Sequence, residues 1–293
     1  MDNNELYHYG VKGQKWGVRR YQNYDGSLTD AGKARRINGV AKGSPMTAEE
    51  ADSGKCNPNK PDRWYDREEY KTQMAEKGGY LYNCQSCAVT YEARIRGYDV
   101  IAGSRSNNPT ADMIQDDISK AFIDLNTGTA PVPKKFDCGV SESKLNRWLE
   151  AWRADADVFE NDPTLQKETD EMWEKNWDNW NNADKLLTDT INPGERYLVK
   201  TKTYNLMDSD DYREHYMVVD WTNSKEPLAI ETQSTHSRPE EIRRSYSDDT
   251  LRNYVYNLGV SDDEIFLGVE LTRVDNCDLN YDVVEKVTER SKR

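Results

Sequence analysis

No apolar run in the sequence approaches the roughly 20 residues that a membrane span requires. Hydrophobic residues make up only 35% of the chain. The N-terminus has no apolar core of the kind a signal peptide carries. The expectation is a protein kept in the cytoplasm where it is made, or delivered by something other than a standard secretion signal. Cysteine is scarce: five residues, an odd number without regular spacing. That excludes a disulfide scaffold and leaves reduced thiols as the default. Histidine is scarcer still, with three in the chain, so any imidazole chemistry rests on His8, His215 or His236. Positive charge is also in deficit. The net charge is −13, and the first 40 residues carry seven Lys/Arg against four Asp/Glu, which leaves −16 for the rest. A phosphate-binding groove needs clustered positive charge, so direct nucleic-acid binding by the main body is not expected. With 32% charged residues, long polar insertions around a compact centre are expected.

What is present centres on Asn83-Cys84-Gln85-Ser86-Cys87 and the residues that follow. Gly78-Gly79 lies just upstream, a place for the backbone to turn sharply. Cys84, Ala88, Tyr91 and Ile95 recur at helical spacing, and Gly97 is a natural stop after Arg94 and Arg96. Two thiols therefore sit where a helix begins. Unpaired N–H groups at a helix N-terminus favour negative charge, and the same groups can receive an oxyanion.

Around this centre the chain divides by composition. Residues 1–40 are basic and aromatic with a scatter of glycines, suiting an extended peptide that docks on a partner or a simple basic tail. Residues 41–75 read as a linker rich in Pro, Asn, Asp and Lys. Residues 76–280 are expected to form the main domain, with a helical insertion at about 138–190. In that insertion Trp148 and Trp152, then Trp173, Trp177 and Trp180, fall at helical spacing and predict an aromatic packing stripe. A further amphipathic stretch runs from Met113 to Phe122. Strands are predicted at Arg196–Thr203, His215–Trp221, Leu228–Gln233 and Ile265–Val274. One or two helices are expected over Arg238–Leu258, and 281–293 reads as a charged, frayed tail. The fold class is α+β.

A thiol needs a base. His215 opens a half-buried strand, and Thr222–Pro227 is a turn signal before the next one. A hairpin folded about Asn223 sets His215 opposite Glu231, with Cβ atoms about 5 Å apart. A one-residue slip would break that alignment. A cysteine at a helix start, a histidine on a strand and an acid on the neighbouring strand form a Cys-His-acid arrangement, in which the base takes the thiol proton and the acid fixes the ring. The plainer alternative is a surface histidine paired with a glutamate and a buried cysteine pair. CxxC at a helix start is also the thioredoxin arrangement, but no βαβ pattern precedes it here. Cys56, Cys138 and Cys277 are scattered singles, so neither a metal site nor any other cofactor is expected.

Two resemblances bear on these residues. The stretch Tyr7-His8-Tyr9-Gly10-Val11-Lys12-Gly13-Gln14-Lys15-Trp16-Gly17-Val18-Arg19-Arg20, followed by Asp25-Gly26-Ser27-Leu28-Thr29-Asp30-Ala31-Gly32-Lys33, resembles a short segment carried by many phage head and structural proteins. It implies a phage-encoded protein associated with the virion head through residues 1–40. Second, Asn83–Cys87, Arg94-Ile95-Arg96-Gly97-Tyr98-Asp99-Val100, Pro193-Gly194-Glu195-Arg196-Tyr197, His215, Glu231-Thr232-Gln233 and Arg273-Val274-Asp275-Asn276 resemble, in that order, papain-fold toxin and phage minor-head-associated domains. That resemblance implies a papain-like core and a cysteine-dependent hydrolase, a glutamine deamidase or peptidase acting on a host protein, with delivery to the host cytoplasm as one route. It maps the nucleophile to Cys84 or Cys87, the base to His215 and the acid to Glu231. Cys84 is favoured as the helix's first exposed position, although papain itself uses the second cysteine of its CxxC. Gln233 would line the cleft. Two departures stand out. No glutamine lies at Gly78–Tyr82 to serve as oxyanion donor, leaving Asn83 and backbone N–H groups, and glutamate replaces the usual aspartate. The competing implication is a head structural or cargo protein that keeps the fold only to bind.

Overall fold

The computed structural model describes residues 36–51, 53–59, 78–137, 162–205, 212–225, 227–233, 243–245 and 264–291. Strands β1 (Arg36–Ile37) and β2 (Val40–Ala41) form a small hairpin, and α1 (Ser53–Cys56) follows. Helix α2 is Cys84–Ile95, leading to β3 (Val100–Ala102), α3 (Pro109–Asp116), β4 (Phe122–Asp124) and β5 (Lys134–Asp137). The long helix α4 (Pro163–Thr190) precedes β6 (Arg196–Asn205), β7 (Tyr212–Asp220), β8 (Leu228–Ile230), β9 (Arg243–Ser245) and β10 (Glu264–Arg273). Strand β11 (Cys277–Leu279), helix α5 (Tyr281–Val287) and β12 (Thr288–Arg290) close the described chain.

The fold is α+β, built on a six-stranded antiparallel sheet in the order β5-β10-β6-β7-β8-β9. Period-two alternation sorts its apolar side chains onto two faces. Leu198, Tyr216, Val218 and Ile230 face a cluster that includes Ala88, Val89 and Tyr91 of α2, Ile114 of α3 and Val284 and Val287 of α5. Tyr197, Val199, Met217, Val219, Ala229, Val269 and Leu271 face the other way, against Ala183 and Leu187 of α4. The sheet is thus the middle layer of three.

Helix α2 is buried along Cys84–Arg94, so it has no amphipathic stripe and sits inside the molecule. Its one carboxylate, Glu92, is fully buried and bonded by Arg196 of β6 (Nε to Oε1, 2.5 Å) and by Arg96. Burial would raise the Glu92 carboxyl, but the two guanidinium groups outweigh it and hold it below the usual carboxylate range. The ion pair fixes the helix on the sheet. The predicted stop falls where expected: Gly97 has φ +99°, and a Cβ there would lie 2.4 Å from the Gly43 carbonyl oxygen.

Several expectations need correction. The 281–293 stretch is no frayed tail over 281–290: α5 buries Val284 and Val287, and β12 pairs with β3. Within the stretch read as a linker, Ala51 and Cys56 are fully buried, and Cys56 Sγ lies 2.7 Å from the Ala51 carbonyl oxygen. The one described segment of the helical expectation over Arg238–Leu258 is a strand, β9, at the sheet edge. The Met113–Phe122 helix instead begins at Pro109, capped by Asn108 Oδ1 on the N–H groups of Thr110 and Ala111, and breaks at Asp117 before a single 3-10 turn, Ile118–Ala121. The helical reading of the insertion holds for α4, in which Ala183 and Leu187 meet the sheet. Trp148, Trp152, Cys138, His8, His236 and residues 1–35 lie outside the described residues.

Candidate active site

The start of α2 is positioned by Asn83. Its Nδ2 donates to the Gly103 carbonyl (3.0 Å) and to Asn57 Oδ1 (3.3 Å), and its Oδ1 accepts from Asn57 Nδ2 and Gln233 Nε2. Cys87 Sγ lies 3.4 Å from the same Oδ1. Asn83 therefore makes no side-chain cap on the helix. Both hydrogens of its amide are engaged, so Asn83 is not free to donate to an oxyanion; its role is to anchor the turn.

Cys84 is the first residue of α2, and it is buried, 4% exposed, not exposed as the sequence suggested. Its sulfur lies 3.7 Å from Gln85 Oε1, 3.8 Å from the Glu214 carbonyl oxygen and 4.0 Å from Gln115 Oε1. Strand β7 passes here beyond the end of its ladder with β8, which covers only Val218–Asp220. Among the described residues no ladder covers this length of β7 on that side; the helix start abuts it, and His215 is the next residue along.

His215 follows Glu214, whose carbonyl oxygen lies 3.8 Å from Cys84 Sγ, so its ring neighbours the thiol, and Glu231 binds it. Nε2 lies 2.6 Å from Glu231 Oε2. Burial would lower the ring's pKa, but the Glu231 charge, the hydrogen bond to it and the neighbouring thiol outweigh it, so the ring sits well above the ordinary histidine value. Glu231 Oε1 in turn accepts the Gln233 backbone N–H at 2.7 Å. Cys84, His215 and Glu231 are therefore together. Cys87 is fully buried one turn on, with its sulfur at Asn83 instead. Gln233 is buried, with Nε2 on the Leu81 carbonyl at 2.8 Å, and serves to hold Glu231 and Asn83 in place.

The pairing that brings His215 to Glu231 differs from the expected one. Val218 faces Ile230 and Asp220 faces Leu228, a register two residues away from the fold about Asn223. Extending it would set Glu231 opposite Met217, with His215 two residues further along. A two-residue shift preserves the face on which side chains lie, whereas one residue would reverse it, so the contact survives as a diagonal.

Sequence reading missed a second group of polar residues beside the thiol. Gln115 Nε2 donates to Glu214 Oε2 at 2.8 Å, and Lys200 Nζ reaches both Glu214 Oε1 (2.8 Å) and the Gln115 carbonyl (2.7 Å). The Tyr216 hydroxyl donates to that same carbonyl at 3.0 Å. Lys200, almost wholly buried, also lies over the Tyr216 ring. The one local signal was Asn108-Pro109, an N-cap with proline at the first helical position, which would have placed Gln115 in the last turn of α3.

Among the described residues no group of three His, Cys, Asp or Glu is arranged to hold a metal ion. Nor is any described helix long and apolar enough to cross a membrane. Compared with known proteins, residues 1–23 match the model of a family of unknown function, DUF7211. No curated protein matches the chain. No solved structure matches it either.

Proposed function

We propose that the protein is a thiol hydrolase with a papain-like core that acts on amide groups of protein substrates, as a glutamine deamidase or a peptidase. The observation that carries this reading is the juxtaposition of the Cys84 sulfur, at the uncapped start of a buried helix, with the strand that bears His215, and of His215 with Glu231. The Cys84 sulfur attacks the substrate carbonyl while the backbone N–H groups of the first turn of α2 face the developing oxyanion. The imidazolium of His215 gives its proton to the departing nitrogen, so that ammonia or an amine leaves and a thioester remains. Water, losing a proton to His215, then attacks the thioester and frees the sulfur. Glu231 keeps the ring oriented and stabilises its positive form throughout.

The Tyr7–Lys33 string supports a phage-encoded protein, carried in the virion head through residues 1–40 and acting on a host protein after delivery. A second reading, a head structural or cargo protein that only binds, is favoured by the 4% exposure of Cys84. Cys84→Ala and Cys87→Ala, treated in parallel with iodoacetamide at neutral pH, separate the two. Loss of fast alkylation in Cys84→Ala alone is expected. Equal labelling of parent and both variants would end the enzyme reading. Incubation with host lysate, followed by mass spectrometry for glutamine-to-glutamate conversion or new N-termini, then distinguishes deamidase from peptidase.

A further inference from the structure

A pocket of about 320 Å³ lies beside the start of α2, lined by Gly78, Gly79, Tyr82, Arg105, Ser106 and Asp112. Two of its walls continue to the thiol. Tyr82 is two residues before Cys84 on one wall; on the other, Asp112 is one helical turn before Gln115, whose Oε1 is 4.0 Å from Cys84 Sγ. Between them Gln85 Nε2 donates to the Ala111 carbonyl at 3.3 Å, which holds α2 and α3 side by side. The floor is a close backbone crossing. Arg105 N–H donates to the Gly79 carbonyl at 3.0 Å. A Cβ on Gly79 would lie 2.1 Å from Ser104 Oγ, 2.3 Å from Ser106 Oγ and 2.7 Å from the Ser106 nitrogen, so only glycine allows the approach.

The polar equipment is asymmetric. Arg105 donates through Nε to Asp112 Oδ1 at 2.9 Å. That contact fixes the guanidinium plane and leaves the Nη1 and Nη2 edge, a fork matched to a carboxylate. Tyr82, 56% exposed, supplies an apolar wall for the carbon chain behind such a group. Resting on the thiol-hydrolase reading above, we propose that this pocket is a carboxylate subsite: it takes the side chain of a glutamate or aspartate next to the amide group presented to Cys84. The substrate is then a polypeptide with an acidic residue adjoining the reaction site, although the protein as a whole is acidic.

The test uses three alkylating probes that reach the pocket while their reactive carbon meets the sulfur: N-iodoacetyl-glutamine amide, N-iodoacetyl-glutamate α-amide and N-iodoacetyl-glutamine with a free α-carboxylate. Labelling of Cys84 is followed by mass spectrometry over a range of probe concentrations. The glutamate α-amide probe is expected to saturate and to react about fivefold more efficiently than the neutral one, in line with one well-oriented but solvent-exposed charged contact. Arg105→Gln should abolish that preference. Asp112→Asn should increase it, because a competing negative charge is removed. Equal rates for the glutamate α-amide and neutral probes, or a preference for the free α-carboxylate probe alone, would overturn the proposal; the latter would mark a chain-end site. Slow labelling by every probe would instead count against the thiol-hydrolase reading. The pocket is then judged on its own by titrating the Ser106 amide resonance with N-acetylglutamate amide and N-acetylglutamine amide. A saturable shift with the first only sustains the subsite, and no shift with either overturns it.

Discussion

Replacing Glu231 by glutamine keeps the shape of the side chain and removes its charge from the His215 ring. The contact at 2.6 Å is a charge-assisted hydrogen bond, a kind that contributes roughly 1.5–3 kcal/mol. Loss of that stabilisation acts on the charged ring alone, so the ring's pKa should fall in Glu231→Gln. The partial burial of the ring, whose side chain is 25% exposed, would then act with less opposition. The assay is an NMR titration of the His215 Cε1 proton in parent and variant, the resonance being assigned with His215→Gln. Stability should follow with a definite sign. In the parent the folded pKa stands above the ordinary value of 6.5. The stabilisation is therefore complete below about pH 6.5 and is lost as pH rises through the folded value. The parent's advantage in melting temperature over Glu231→Gln should be largest in mildly acidic buffer, while Glu231 is still ionised, and should shrink as the solution becomes alkaline. A His215 titration midpoint that stays within a few tenths of a unit in the variant would refute the ion pair, and with it the role given to Glu231.

Two further outcomes concern the frame that holds the site. Glu92→Gln leaves the buried Arg196 and the half-buried Arg96 without their shared carboxylate and should cost about 3–5 kcal/mol, read as a fall in the urea midpoint; a loss below 1 kcal/mol would show that the ion pair does not anchor α2. Gly97→Ala places a Cβ at φ +99°, against the Gly43 carbonyl, and should destabilise by at least about 1–3 kcal/mol, an expectation that unchanged thermal unfolding would sink.

The three side chains that meet at the candidate site could be read from the sequence because each announces itself locally. A turn-forming Gly78-Gly79 precedes Cys84, alternation marks the His215 strand, and Thr222–Pro227 marks the return to Glu231. The exact pairing could not be read. A six-residue turn region permits more than one register, and the observed ladder sits two residues from the expected one; face parity alone kept the contact. The Gln115–Glu214–Lys200 group stayed hidden for a different reason. Its members come from α3, β7 and β6, and nothing in a linear chain announces that a lysine will be buried against a glutamine carbonyl 85 residues away. The C-terminal stretch misled through composition. Glu285, Lys286, Glu289 and Arg290 suggest a solvated tail, whereas Val284, Val287 and Thr288 between them are buried. Three well-placed buried side chains decide the structure of a segment whose charges need only reach water.

The arrangement at the head of α2 closes on itself. Cys84 meets the backbone just before His215, the ring bonds Glu231, and Glu231 Oε1 takes the Gln233 N–H. Gln233 Nε2 returns to Asn83 Oδ1 and the Leu81 carbonyl, immediately before Cys84. A cysteine and a histidine 131 positions apart in the chain are thereby held by a ring of contacts in which each member has two neighbours. Such a ring resists the small displacements that open-ended contacts allow, and catalytic groups depend on placement at that scale. It also gives Cys87 a physical place outside the chemistry. Its sulfur lies 3.4 Å from the Asn83 oxygen that Asn57 and Gln233 also reach, so the second thiol packs against the anchor of the turn. On the proposed function Cys84 and Cys87 then have separate places: one beside the strand that bears the imidazole, the other at the amide that anchors the turn.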